Sequence, residues 1–326
     1  MKTACVYHRI DLDGWMSAAI VKLAHRTQNR DMEKLAACQD EGIDFIGFNY
    51  GDPIPDLSQY GNIVLVDVSF PLPEFQRLRQ GELKSITWID HHASALKESE
   101  EYAVWQNFQG KRSTSLAACE LTWMTFFPDH KVPRLIELLG LYDSFRHKGT
   151  PEEKYVLEFQ YGARLHITDV NTAFKYIEDS FERTEYHRMG RQVQVGMFHE
   201  DGEKIYAYLC EDARVSYKNG FPVEFEEEEW VYNPNDILYH ERKFIAVNRE
   251  RFNPINFGID YHADGYDGCA CFHFDGKQWV FSLYNDNGRV DVSTIAKSFG
   301  GGGHKSASGM RLSHDQFMSL VTNNEK

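Results

Sequence analysis

Short apolar runs separated by amphipathic stretches organise the first half of the chain. Residues 3–7, 43–48, 63–67 and 85–89 are dense in apolar and β-branched side chains and read as buried strands. Helical spacing of apolar positions runs through residues 14–27, 72–79 and 115–127, between or after those runs. Such alternation predicts an α/β fold with an N-terminal, mainly parallel sheet and helices on both faces. Leu135, Ile136, Leu138, Leu139 and Tyr142 fit a further helix packed on that sheet, with Asp143 at its end or on its inner face.

The pattern changes after residue 150. A long helix is expected near 170–200, opened by a Thr168-Asp169 cap. Residues 204–210, 243–248, 268–274 and 278–284 alternate apolar and polar, as strands with one solvated face do, so a smaller C-terminal α+β domain is expected. Residues 211–241 are acidic and weakly periodic, and read as an insertion or extended connection. The expected division is a first domain over 1–168, a helical connector over 169–202 and a second domain over 203–326.

Composition narrows the function classes. A chain of 326 residues with 42% hydrophobic and 14% aromatic residues can bury two cores and is not a disordered one. No stretch approaches the roughly 18 consecutive apolar residues of a membrane span. Met1-Lys2 leads straight into a short strand without the apolar core of a signal peptide, so a cytoplasmic location is expected. Cysteines 5, 38, 119, 210, 269 and 271 form no Cys-x-x-Cys pair and read as reduced, mostly buried thiols. The formal charge of −14, with no dense Lys/Arg run, favours a short or compact phosphorylated substrate over long duplex nucleic acid. The run Glu226-Glu227-Glu228-Glu229 reads as a solvated loop or strand edge.

Candidate chemistry gathers where the strands end. Asp90-His91-His92 follows the run Ile86–Ile89, and the carboxyl ends of strands are where α/β sheets bind ligands. Aspartate together with neutral imidazole suits manganese, iron, zinc or cobalt. Three more segments repeat the arrangement. Thr3–Tyr7 is followed by His8, Asp11, Asp13 and Gly14; Ile63–Val66 leads into Asp67; Asp143 lies in the apolar stretch from Leu135 to Phe145. A carboxylate in such a stretch costs several kcal/mol unless it is paired or holds a metal. Each segment alone reads more readily as a strand-end or helix-cap aspartate, but four such segments in the first 150 residues count against that reading.

Two candidate anion sites lie elsewhere. Gly300 to Gly303 follows the helix-like segment Val290–Phe299 and precedes His304, which favours a phosphate-approaching backbone over a flexible linker, with Arg289 and His304 as clamps. Arg112, with Ser113, Thr114 and Ser115 before a helix, reads either as a second anion site or as simple capping.

In this order the motifs resemble the DHH phosphoesterase superfamily with its DHH-associated C-terminal domain, a group containing RecJ-type exonucleases, nanoRNases, cyclic dinucleotide phosphodiesterases, exopolyphosphatases and one type of pyrophosphatase. His8-x-x-Asp11-x-Asp13-Gly14, with Ser17-Ala18-Ala19 after it, resembles the first motif. Asp67, Asp90-His91-His92 and Asp143 resemble the next three, and Phe299–His304 with Ala307 and Gly309 resembles the C-terminal glycine signature. Arg9 and Ile10 put two residues between His8 and Asp11, where members usually place one or three.

The resemblance implies two divalent ions, manganese foremost. One would be held by His8, Asp11 and Asp67, the other by Asp13, Asp67, His91 and Asp143, with Asp67 bridging. A water shared by the ions would attack phosphorus. Asp90 would orient a histidine or join the metal shell, and His92 would face substrate. Arg112, Arg289, Gly301, Gly302, Gly303 and His304 would bind substrate, with the second domain closing over the metals. The implied activity is hydrolysis of short nucleotide substrates, either oligoribonucleotides or nucleoside 3′,5′-bisphosphates. A cyclic dinucleotide phosphodiesterase, an exopolyphosphatase and a non-catalytic nucleotide-binding regulator are the alternatives, the last supported only by the two-residue spacer. No membrane partner is implied, and a homodimer is left open.

Overall fold

The computed structural model describes residues 2–28, 42–80, 85–101, 108–178, 185–230, 237–250 and 252–322. They divide into two compact units, Met1–Ile205 and Tyr206–Lys326.

In the first unit, β1 (Thr3–His8), β2 (Ile43–Phe48), β3 (Asn62–Val66) and β4 (Ser85–Ile89) form an all-parallel sheet in the order β2-β1-β3-β4. Alternate side chains go to opposite faces, as the period of two in a strand requires. Cys5, Val64 and Val66 enter a core built with α1 (Leu12–Gln28), α4 (Ala118–Phe126), α5 (Arg134–Asp143), α6 (Glu153–His166) and α7 (Val170–Ile177). Ala4, Val6, Ile63, Leu65 and Trp88 enter the other core, with Phe75 of α2 (Leu72–Gln80) and Ala95 of α3 (Ala93–Glu101). The α/β architecture with both faces covered is therefore as the sequence predicts.

The strand order has a direct consequence for function. From β1 the chain passes to β2 on one side, and β3 then pairs on the other, so the carboxyl ends of β1 and β3 flank a topological switch point. In open α/β sheets ligands bind at that position.

The expected helix over 170–200 is two helices. Asp169 does cap, accepting from the Thr172 amide at 2.7 Å, but the helix it opens is α7, which ends at Ile177, and α8 is described over Glu185–Lys218. Residues 169–202, expected as a connector, contribute Val170, Ala173, Phe174, Ile177 and Phe198 to the first core. Residues 204–210 are helical within α8, not a strand. Their short alternation is overridden because no Gly or Pro breaks the helix between Glu203 and Lys218.

Crossing of α6 and α8 is unusually close. A Cβ on Gly162 would collide with the Phe198 carbonyl oxygen, and one on Gly202 with that of Glu158. His166 to Asp201 at 2.9 Å and His199 to Glu158 at 3.0 Å flank the crossing.

The second unit is α+β. Its sheet runs β5-β6-β7-β8-β10-β9, from β5 (Phe221–Trp230), β6 (Ile237–Asn248), β7 (Gly268–Phe274), β8 (Trp279–Tyr284), β9 (Gly302–His304) and β10 (Ala307–Leu312). Within it β6 and β7 pair in parallel and the other neighbours antiparallel. The expected solvated face is covered. Phe244, Ala270 and Phe272 pack with α9 (Val292–Ser298), whereas Ile245, Cys269 and Cys271 pack against Ala213, Phe252 and Tyr261.

Residues 211–241, expected as an insertion, supply the end of α8, the edge strand β5 and the start of β6, apart from 231–236, which lie outside the described residues. The glutamate run is on that edge, as read. Glu227 is nonetheless buried: its carboxylate accepts from Arg242 Nε at 2.7 Å and from the Asp291 amide at 2.7 Å. Cys5, Cys119, Cys269 and Cys271 are buried free thiols and Cys210 is half-buried; Cys38 lies outside the described residues. Among the described residues no helix is long and apolar enough to cross a membrane.

The α6–α8 crossing yields a paired prediction. Gly162→Ala should destabilise by about 1–3 kcal/mol through overpacking. Gly196→Ala, on α8 with nothing within 4 Å of its added methyl, should stabilise by about 1 kcal/mol through helix propensity. Urea melts of the two variants check this, and equal midpoints would remove the steric account.

Candidate metal centre

Seven side chains converge at the carboxyl ends of β1, β3 and β4 and at the end of α5. Three groups each offer donor atoms lying within 4.8 Å of one another: His8, Asp11 and Asp67; Asp13, His91 and Asp143; Asp67, His91 and His92. His8 Nδ1 lies 2.6 Å from Asp11 Oδ2 and 3.3 Å from Asp67 Oδ2. His91 Nε2 lies 3.2 Å from Asp143 Oδ2, 3.3 Å from Asp67 Oδ1 and 3.7 Å from Asp13 Oδ2. Asp67 thus offers one oxygen to each side.

The local backbone explains the convergence. Asp67 takes a left-handed conformation, φ 59°, immediately after β3, and its amide donates to the Ile89 carbonyl at 3.0 Å. Aspartate tolerates that region better than most residues. Asp11 accepts from the Gly14 amide at 2.9 Å and opens α1, where a Cβ on Gly14 would collide with the His8 carbonyl. Asp13 is fully buried and points at the N-terminus of α4, accepting from the amides of Ala118 at 2.9 Å and Cys119 at 2.7 Å. Those amides lack partners within the helix and carry its positive dipole end, so they hold a carboxylate without its losing lone pairs on the far side.

The histidines are oriented as ligands require. His8 Nε2 lies 3.2 Å from Asn49 Oδ1; donation there leaves Nδ1 with its lone pair facing Asp11 and Asp67. Despite the two-residue spacer, His8 reaches the cluster. His92 differs from the other two. Its Nδ1 is 2.7 Å from Asp90 Oδ1 and 3.9 Å from Asp67, so proximity groups it with Asp67 and His91 while its hydrogen bond commits it to Asp90. The shorter contact decides: Asp90 orients His92. The same Asp90 oxygen accepts from the amides of His91 and His92 at 2.8 and 3.3 Å.

A cation fits this donor set. His8 Nδ1, Asp67 Oδ1 and Asp90 Oδ2 are buried without a hydrogen-bond partner, and the first two face other donors at 2.6–3.3 Å. Close but unbonded donors aimed at a common point match what cation ligands present. The titration behaviour carries the same strain. Burial and then Asp67 push the Asp13 carboxyl up to about 7, and burial and then Asp13 push Asp143 well above the carboxylate range. Burial opposes the charged imidazoles, yet Asp11 and Asp67 raise His8 to about 11, and Asp67, Asp13 and Asp143 raise His91 to about 10. Burial likewise opposes the charged Asp67, but His8 and His91 hold it well below the carboxylate range.

No protein-family model and no curated protein matches the chain. Solved structures do. A DHH domain from a member of a family of ribosomal proteins superposes with a TM-score of 0.54 at 16% identity, covering 98% of this chain and 85% of that one. A pGpG-specific phosphodiesterase from Vibrio cholerae gives 0.52 at 11% identity, covering 99% and 97%. The chain has the DHH-domain fold. At these identities the likeness is one of fold, and the chemistry of the DHH-domain cluster rests on the side chains above.

The remaining candidates are less uniform. Ser113–Ser115 do not open a helix: α4 starts at Ala118, and its N-terminal amides are taken by Asp13. Arg112 stacks over Trp88, and its guanidinium donates to the carbonyls of Trp88 at 3.0 Å, Gln109 at 3.3 Å and Phe108 at 3.4 Å. In the second unit Gly301, Gly302 and Gly303 run into the β9–β10 pair instead of forming an open loop, and a Cβ on Gly301 or Gly303 would collide with the facing strand. Arg289 and His304 are both exposed, and the adjoining backbones meet where the Val292 amide donates to the Lys305 carbonyl at 3.0 Å.

Two residues at the cluster escaped the sequence reading. Asn49 fixes His8, and the Tyr50 ring stands 6.0 Å from His8 and 5.7 Å from His92. Both follow β2, and the strand-end rule applied to the run 43–48 would have found them.

Cation uptake must expel protons from His8, His91 and Asp13. Their raised values place protons on His8 and His91, and in part on Asp13, in the cation-free protein at neutral pH, so affinity should climb with pH, about tenfold per unit for each proton displaced. Calorimetry in buffers of different ionisation heat checks this, and an apparent enthalpy independent of buffer would contradict it. Manganese should also raise the thermal midpoint and a chelator lower it.

Proposed function

We propose that the chain is a divalent-metal-dependent phosphoesterase hydrolysing short nucleotide substrates, oligoribonucleotides or nucleoside 3′,5′-bisphosphates, with manganese as its working ion. The supporting observation is the sharing of Asp67 between two donor groups, one with His8 and Asp11 and the other with His91, alongside Asp13 and Asp143. Two ions held there would supply an activated water and neutralise charge on the phosphoryl group.

The chain's own side chains do the rest. Asp67, tied between His8 and His91, fixes the separation of the two groups. Burial opposes charge on His92, but Asp90 raises its value, and with Nδ1 on Asp90 its Nε2 is the nitrogen left to hold or give a proton at the leaving oxygen. The mixed carboxylate and imidazole donor set supports manganese over magnesium. A net charge of −14 supports short substrates over long duplexes.

Arg289 and His304 are proposed as anion-binding groups of the second unit. Arg112 is not included, since its guanidinium already serves three carbonyls. The regulator alternative loses its one supporting feature, because His8 joins Asp11 and Asp67 across the two-residue spacer.

The test is product release, with manganese, from a five-nucleotide RNA, 3′-phosphoadenosine 5′-phosphate, a cyclic dinucleotide, polyphosphate and pyrophosphate. Preference for the RNA or the bisphosphate is expected; turnover of polyphosphate alone would overturn the substrate class. His92→Ala should lower kcat by about 10²–10⁴ with its metal content kept. An unchanged rate would remove His92 from the chemistry.

A further inference from the structure

One buried oxygen links the start of α4, whose amides grip Asp13, to the turn that follows Asp143. Glu120, on the first turn of α4, is 5% exposed. Its Oε2 accepts from the Ala117 amide at 3.1 Å, closing the amide just before the pair that grips Asp13. That same Oε2 accepts from Arg146 Nη2. Arg146 stands three residues beyond Asp143, and its Nε donates to Ser144 Oγ at 2.7 Å, while Ser144 Oγ donates to the Gly140 carbonyl at 2.6 Å. Gly140 itself lies so near the Glu120 carboxylate that a Cβ there would collide with it.

Thus the end of α5 is seated directly on the carboxylate that shapes the start of α4. Glu120 is buried and Arg146 half-buried, and such an ion pair is a weak source of net stability, because desolvation offsets most of the attraction. It does fix geometry, since its two partners tolerate little displacement.

We propose that Glu120 and Arg146 are positioning residues for the group formed by Asp13, His91 and Asp143. The pair sets the separation of Asp13 from Asp143, so the cation affinity of that group depends on two side chains that touch no cation. This rests on the metal reading above. His8, Asp11 and Asp67 come from β1, the start of α1 and the end of β3, and their hydrogen bonds run to Asn49, the Gly14 amide and the histidines instead of to this pair. That group meets the pair only through the shared Asp67 and His91, so its affinity depends on it less.

The experiment is manganese titration by calorimetry, with thermal unfolding in chelator, of the full chain, Glu120→Gln and Arg146→Lys. Glutamine keeps the acceptor for Ala117 but loses the charge facing Arg146; lysine keeps the charge but loses the fork that also holds Ser144. In each variant one of two binding events should weaken by about 10- to 100-fold, in line with losses of residues that orient metal ligands. The other event should weaken clearly less, and the unfolding midpoint in chelator reports any loss of stability separately.

Both events at wild-type affinity in a folded variant would overturn the proposal, as would equal weakening of both. Where Glu120→Gln does not fold, Arg146→Lys decides alone on the same criteria. Absence of two binding events in the wild type is a separate result: it would remove the metal reading itself.

Discussion

The structure is built around the problem of keeping Asp13 and Asp67 together out of water. Both are almost wholly buried, and two such carboxylates repel while each also forfeits its hydration. The fold answers with three kinds of partner. Helix amides of α4 take Asp13, imidazoles of His8 and His91 take Asp67, and the Gly14 amide takes Asp11. Every one of these partners is delivered by a strand end or a helix start at the switch point between β1 and β3. The α/β layering is what makes so many such ends meet in one place.

Backbone strain is concentrated at the same spot. Asp67 at φ 59° and Phe145 at φ 57° are the non-glycine residues with positive φ among those described. One carries the shared carboxylate, and the other lies between Asp143 and Arg146. Left-handed conformations of this kind cost about 1–3 kcal/mol each and persist where the surroundings over-determine them. For Asp67 the surroundings are the Ile89 carbonyl and two histidines. For Phe145 they are the Tyr142 carbonyl, which accepts its amide at 3.1 Å, and the Glu120–Arg146 pair just beyond. The strain therefore tracks the demand that two carboxylates from different elements reach one volume.

Much of this was legible in the sequence, for a physical reason: parallel strands buried on both faces appear as unbroken apolar runs, so the residue ending each run stands out. His8, Asp67 and Asp90 are all visible in that way. Asp90 shows the limit, because whether it holds a metal or a histidine depends on which oxygen meets which nitrogen, and that is settled by the turn into α3. Residues 204–210 show another. A short stretch of alternating character is decided by its flanks, and these continue the helix of α8. Glu227 shows a third: within a uniform glutamate run, only the strand's alternation puts its side chain on the face of Val223 and Phe225, inward to Arg242 and the Asp291 amide.

The positions of charge also constrain the order of events at the cluster. A phosphate approaches a chain of formal charge −14 at a point where four aspartates converge, with screening limiting the wider field to about 10 Å. In the cation-free protein the charged His8 and His91 and the raised Asp13 and Asp143 offset much of that charge, and the histidines do so while occupying the atoms a cation needs. Two divalent cations would reverse the sign of the problem, neutralising the carboxylates and returning the imidazoles to their neutral form. On the proposed reading, bound cations supply the positive charge that a phosphate needs, so cation binding precedes substrate. On that same reading, the separation of Asp13 from Asp143 would bear on substrate binding as well as on metal binding.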